Sequence, residues 1–234
     1  MMQVPDPETV SLPGGPARVE WRRSPRARRV SLRIDPRGGA VVVTLPARAG
    51  RPAGMRLLTT HAAWVSDRLA KLPAAVRFVD GASVPIGGMP HPIRHVAEGR
   101  GGAWLADGAL HVSGGQEFLA RRVGDFLRAE ARRRLSALVA AKAALAGVPV
   151  GRITIKDTRT RWGSCTADGS LAFSWRLLMA PDFVQEYVAA HEVAHLRHMN
   201  HGPRFWALVD KLTPHTRQAI PWLQTHGASL LRVG

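Results

Sequence analysis

Residues 191 to 201 read His-Glu-Val-Ala-His-Leu-Arg-His-Met-Asn-His, and the first five carry the HExxH spacing of metal-dependent hydrolases. Side chains four apart on a helix lie one turn apart on the same face. His191 and His195 can therefore close on one ion. Glu192 stands beside them, placed to take a proton from a metal-activated water. Two histidines leave a catalytic zinc site one protein ligand short. His198 shares the face but sits about 10 Å along the axis from His191, too far for a shared bond of about 2 Å. His201 reaches the ion only if the helix ends and the chain turns back. Asn200 tolerates a left-handed conformation, and Gly202-Pro203 is a breaker pair. The expected ligands are His191, His195 and His201, with His198 in a supporting or surface position. The step from His195 to His201 equals that of HExxHxxGxxH sites, but His198 holds the glycine position, so a different turn is needed. HExxH also arises by chance on ordinary amphipathic helices; the third histidine behind a breaker favours the metal.

The motif needs a helix. Pro181 suits a first turn, and Asp182 and Glu186 place negative charge near the positive end of the dipole. Val184, Tyr187, Val188, His191, Ala194 and His195 recur at helical steps, and neither Gly nor Pro interrupts Asp182 to His201. One helix with a one-sided stripe is expected there. Upstream, Arg159 and Arg161 precede a hairpin at Leu171 to Trp175. They are candidates for holding an anionic substrate group or a developing oxyanion, and a strand edge there could take a peptide. Phe205 and Trp206 read as core packing. Glu186 lies off the His191 face, and His215 has no assignable role.

The fold class expected is α+β: a β-rich N-terminal domain over 17–115, after a flexible 1–16, then a zincin-like helical metal-binding domain with a small antiparallel sheet over 116–234. Strands are expected at Val19 to Trp21, Val30 to Ile34 and Ala40 to Leu45, then a helix from Met55 to Leu72. Four short strands follow between Val84 and Val112, and a long helix runs from Glu117 to Ala146. Further helices are expected at Pro203 to Leu212 and Arg217 to His226. No internal repeat is evident.

Cys165 is the single cysteine, so a disulfide framework is excluded and a reducing compartment, the cytoplasm by default, is expected. Cys165 itself reads as a small packed side chain in a segment distant from the histidines. No run of 18 apolar residues suggests a membrane span, and the first residues do not read as a signal peptide. The net charge is +16, and arginine supplies 29 of the 33 basic residues. A coding bias explains Arg in place of Lys but not the excess of bases over acids. Such a field attracts nucleic acid or nucleotides, or is simply a solvated surface.

The order of motifs resembles a known family. Thr158 to Cys165 reads TRTRWGSC, followed by LAFSWRL at Leu171 to Leu177, Ala180-Pro181, Tyr187-Val188, the HEVAH core, His198-Met-Asn-His201 and Phe205-Trp206. Pro214 and a Trp222-Leu223 to His226-Gly227 tail complete the series. The chain resembles the YgjP-like metallopeptidase domain, a family related to the SprT and WLM metalloproteases. The resemblance implies a zinc-dependent hydrolase fold with His191, His195 and His201 as ligands and Glu192 as acid/base. It implies no particular substrate.

The expected function is thus a cytoplasmic zinc metallopeptidase acting on protein or peptide, with Ni2+, Co2+ or Mn2+ as other metals such a histidine site accepts. Two alternatives remain at this level: a metal-dependent nucleoside triphosphate pyrophosphohydrolase, and a nucleic-acid-binding module with a structural metal.

Overall fold

A computed structural model describes residues 8–98 and 102–234. The chain divides into two compact units, Met1–Ala74 and Ala75–Gly234. Of the flexible start expected at 1–16, residues 1–7 lie outside the described residues. From Glu8 onward that segment is already strand.

The first unit is a four-stranded sheet with two helices. Its strands are β1 (Glu8–Leu12), β2 (Gly15–Ser24), β3 (Ser31–Asp35) and β4 (Ala40–Pro46), in the order β1-β2-β4-β3. The central pair β2/β4 is parallel, and both outer pairs are antiparallel. Alternation along the strands puts Val19, Trp21, Val41, Val43 and Leu45 on one face. That face packs with Leu58, Ala62 and Val65 of α1 (Arg51–Thr60) and α2 (Ala62–Ala70). Gly54 lets α1 lie directly on Trp21, since a Cβ there would stand 2.5 Å from the indole ring. The single helix expected over Met55 to Leu72 is two, broken at His61, whose backbone (φ −105°, ψ 19°) leaves the helical region.

The second unit opens with the same pattern again. Strands β5 (Ser83–Ile86), β6 (Met89–Val96), β7 (Ala103–Ala106) and β8 (Ala109–Ser113) run in the order β5-β6-β8-β7. Again the central pair is parallel and the outer pairs antiparallel. The repeat missed in the sequence is thus one of topology. Pleat and turns specify a strand order with little demand on residue identity beyond alternation.

The two compact units part after Ala74, where a boundary near residue 115 was expected, so β5 to β8 fall in the second unit. The backbone N–H groups of Gly87 and Gly88, in the β5–β6 turn, donate to the carbonyls of Leu178 (2.8 Å) and Met179 (3.1 Å). Val84, Ile86, Ile93, Leu110 and Val112 join the core that surrounds the HExxH segment. The spine of that core is α3 (Leu119–Ala146), which buries Leu119, Val123, Leu127, Ala131, Leu135, Val139 and Ala143, a ridge at every fourth position. Gly147, at φ 63°, closes α3 in the left-handed conformation that glycine adopts without penalty.

Beyond α3 come β9 (Ile153–Lys156), β10 (Gly163–Cys165) and β11 (Leu171–Ser174), ordered β10-β11-β9. This small sheet is mixed, not antiparallel, because β9 and β11 are joined across intervening β10 and run parallel. Helices α4 (Asp182–His195), α5 (Pro203–Leu212) and α6 (Thr216–Leu231) complete the unit. Arg176, fully buried between β11 and α4, is neutralised by Asp157 and donates to the Val233 carbonyl at 3.1 Å. Removing one partner from such a buried pair costs on the order of 3 kcal/mol. No helix among the described residues is long and apolar enough to cross a membrane.

Candidate metal centre

Helix α4 carries the motif and is more deeply set than a one-sided stripe requires. Ala189, Ala190 and Val193 are buried as well as Val184, Val188 and Ala194. Small residues allow this, because α3, α5, α6 and β10 all pack against α4. The helix ends at His195, six residues short of His201. The amides of Arg197 and His198 both donate to the Ala194 carbonyl, at 3.1 and 2.9 Å, tightening the last turn. The chain then turns back without help from a left-handed Asn200. Asp107 is the only non-glycine residue with positive φ among the described residues.

That early ending brings the three histidines together. One ring nitrogen from each of His191, His195 and His201 lies within 4.8 Å of the others. The Nε2 atoms of His191 and His201 stand 3.2 Å apart. His195 Nδ1 lies 3.1 Å from the His198 carbonyl, which can only accept. Nδ1 therefore carries the proton, and Nε2 is left with its lone pair. His198 takes part through its backbone; its ring is outside the cluster.

Burial, then the neighbouring His195 and His201, push His191 down to about 4. His195 is lowered as well, chiefly by burial, against the opposing hydrogen bond to His198. Three imidazoles converging at such distances can each turn one ring lone pair toward a single cation between them. Three imidazoles suit a borderline divalent ion such as zinc, so the residues fit the metal their spacing suggests. Beneath them lies Phe205, fully buried, with its ring centroid 4.9, 4.5 and 4.7 Å from those of His191, His195 and His201. In the sequence Phe205 reads as core packing. Its position four residues after His201, within the first turn of α5, was the available signal. An apolar floor of this kind fixes the rings and would exclude water from that side of a bound ion.

Glu192 is buried at 5% exposure, against the edge strand β10. Gly163 makes this approach possible. A Cβ there would stand 2.5 Å from Glu192 Oε1 and 2.6 Å from its Cγ. Burial pushes the Glu192 carboxyl up to about 7, with Arg161 opposing. Glu192 and His191 share a cavity of about 260 Å³ with Arg161, Trp162, Tyr187, Val188 and Leu223. Burial and Glu192 push the Tyr187 hydroxyl up to about 12, so it remains a neutral donor. Arg161 thus reaches the site, its turn held by the Thr158 hydroxyl on the Arg161 carbonyl at 2.6 Å. Arg159 does not line this cavity.

Cys165 is not in a distant segment, as the sequence suggested. It lies on β10 two residues from Gly163, and its thiol is pushed up by burial and then by Glu192. It is outside the histidine cluster. Glu186 and His215 do meet, at 3.6 Å, and Glu186 also pairs with Lys142 at 2.5 Å. Both serve packing between helices.

With this geometry in view, the comparison with known families is decisive. The family described as YgjP-like, metallopeptidase domain, matches residues 28–226. The chain belongs to that family. The YgjP-like match includes β3 and β4 of the first unit and extends through most of α6. Among solved structures, the metallopeptidase zymogen of Pyrococcus abyssi abylysin is similar at 19% identity and a TM-score of 0.37, over 42% of this chain and 97% of that one. No curated protein matches. The YgjP-like chain is therefore a metallohydrolase by family.

The buried carboxyl has a consequence for stability once chelation has removed any metal. Glu192 rises from an ordinary 4.5 to about 7 on folding. The folded state therefore holds its proton more tightly than the unfolded chain. The resulting stability is fully present below about 4.5 and is lost as pH rises through about 7. Chelated Glu192→Gln should exceed chelated wild type in stability by up to about 3 kcal/mol at pH 8, and by almost nothing at pH 4. Urea denaturation at the two pH values measures this. Equal stability at pH 8 would show that the carboxylate is not desolvated.

Proposed function

We infer that this protein is a zinc metallopeptidase in which His191, His195 and His201 hold the ion and Glu192 is the general base and acid. The observation that carries the reading is the convergence of three imidazoles within 4.8 Å beside a buried carboxyl. The bound metal supplies a Lewis acid and a water of lowered pKa. Glu192 takes the proton of the attacking water and returns it to the leaving nitrogen. Its raised pKa suits both directions near neutral pH. Arg161 and the neutral Tyr187 hydroxyl flank the same cavity and offer donors to the developing oxyanion.

An extended peptide would add along the outer edge of β10, the end strand of its sheet, which sets the scissile bond beside Glu192. The cavity walls Trp162, Val188 and Leu223 are apolar, and Arg161 is the one arginine or lysine among its lining residues. That favours a substrate side chain over a triphosphate, which calls for several cations. The exposed His201 leaves the ion accessible, unlike a closed structural site. Nickel, cobalt or manganese would also fit three imidazoles. The single cysteine suits work in the reducing cytoplasm.

The test is product analysis on parallel panels of unfolded protein, peptides and nucleoside triphosphates. Chelation should stop peptide cleavage, and added Zn2+ should restore it. Zinc-dependent release of pyrophosphate with peptides left intact would instead establish the nucleotide reading.

A further inference from the structure

We propose that the Met1–Ala74 unit binds single-stranded nucleic acid along an arginine strip at the β2–β3 end of its sheet. Residues 22–33 hold Arg22, Arg23, Arg26, Arg28, Arg29 and Arg33 and no acidic residue. Five of the six are exposed, and Arg33 is half-buried. Two ion pairs of this unit, Arg51 with Glu8 and Lys71 with Asp67, lie outside the strip. Arg23 donates to the Ala47 carbonyl at 3.1 Å, which leaves its charge uncompensated.

The chain contains its own control for whether the fold or an arginine-rich composition demands this charge. The sheet β5-β6-β8-β7 has the same strand order and the same parallel centre. Its β6-to-β7 connection, residues 97–102, holds one arginine and one glutamate; residues 25–30, between β2 and β3, hold three arginines and no acid. Residues 1–74 carry a net charge of +8, whereas residues 75–118 carry −1. Both come from one coding background and one topology. The excess therefore belongs to the surface of the first unit, and the chemistry that answers it is a row of phosphates.

A second feature selects a single strand. Leu32, Leu57, His61 and Trp64 line an open groove of about 410 Å³, and Trp64 is 43% exposed. Leu32 lies on β3 three residues after Arg29, and Arg68 follows Trp64 by one turn of α2. An exposed indole in an apolar groove is a platform for the face of a base, with cations beside it for the backbone. A duplex hides those faces. An anionic lipid surface would answer the charge but has no use for the groove.

The experiment is fluorescence anisotropy of a labelled oligodeoxythymidine of about 20 nucleotides with the full chain, over a salt series. Binding is expected in chelated protein too, so its failure leaves the peptidase reading untouched. Arg26→Ser/Arg28→Ser/Arg29→Ser should weaken binding at least tenfold and lower the salt slope by about 2. Trp64→Ala should weaken it about tenfold with the slope unchanged, a readout that does not depend on the triple variant folding. Removing Arg121, Arg133 and Arg217 from the second unit should change affinity less than twofold. The proposal is overturned if wild type does not bind or if the strip variant binds like wild type. It is also overturned if the second-unit variant loses as much, or if duplex DNA or phosphatidylglycerol vesicles compete as well as the oligonucleotide.

Discussion

Glu192→Gln should keep its full metal content and lose peptide hydrolysis by about 10³-fold or more. Gln has the shape of the protonated carboxyl, so it fits the buried pocket and leaves the three histidines undisturbed. It cannot accept a proton from water. Burial matters here, because it holds the Glu192 carboxyl near 7 and leaves it 5% exposed. At that exposure bulk solvent cannot take over the proton transfer. Metal analysis and initial rates on one peptide, with both proteins prepared alike, measure the effect. A variant within tenfold of wild type would remove Glu192 from the mechanism while leaving the metal site standing.

Gly163→Ala should cost about 10²-fold in rate with metal retained. The backbone at Gly163 is not in the positive-φ region, so the substitution carries no conformational penalty of its own. The new methyl meets Glu192 instead, at 2.5 Å from Oε1 and 2.8 Å from Cδ. Either the carboxyl swings from its place or β10 moves off α4. Each displaces the base from the edge along which the peptide is expected to lie. Loss of rate without loss of zinc, and with little change in melting temperature, distinguishes this from unfolding. A variant with unchanged kinetics would mean that the Glu192–β10 contact plays no part in catalysis.

Much of this centre was legible in the sequence because it rests on local geometry. Spacing of four places His191 and His195 together, and axial rise removes the His198 ring. The turn that returns His201 was anticipated in outline but not in mechanism. It comes from tightening after Ala194, since backbone hydrogen bonds at a helix end depend on what packs there. Gly163 and Phe205 were not legible as parts of the site, nor Cys165 as a neighbour of Glu192. Their roles depend on β10 crossing α4 and on α5 returning beneath the histidines, both long-range outcomes of packing. The placement of β5 to β8 in the second unit has a related origin. Strands β5 to β8 look like more of the N-terminal sheet by alternation and order, yet their apolar faces are buried with α3 and the 175–179 turn. The repeated strand order escaped because alternation, unlike a motif, leaves few identities in common.

The most direct test of the central assignment is X-ray absorption at the metal edge of the zinc-loaded protein. Three imidazole nitrogens at about 2.0–2.1 Å and no sulfur are predicted, with one imidazole lost in His201→Ala. A sulfur scatterer near 2.3 Å would bring in Cys165 and contradict the three-histidine site, as would a His201→Ala spectrum identical to wild type.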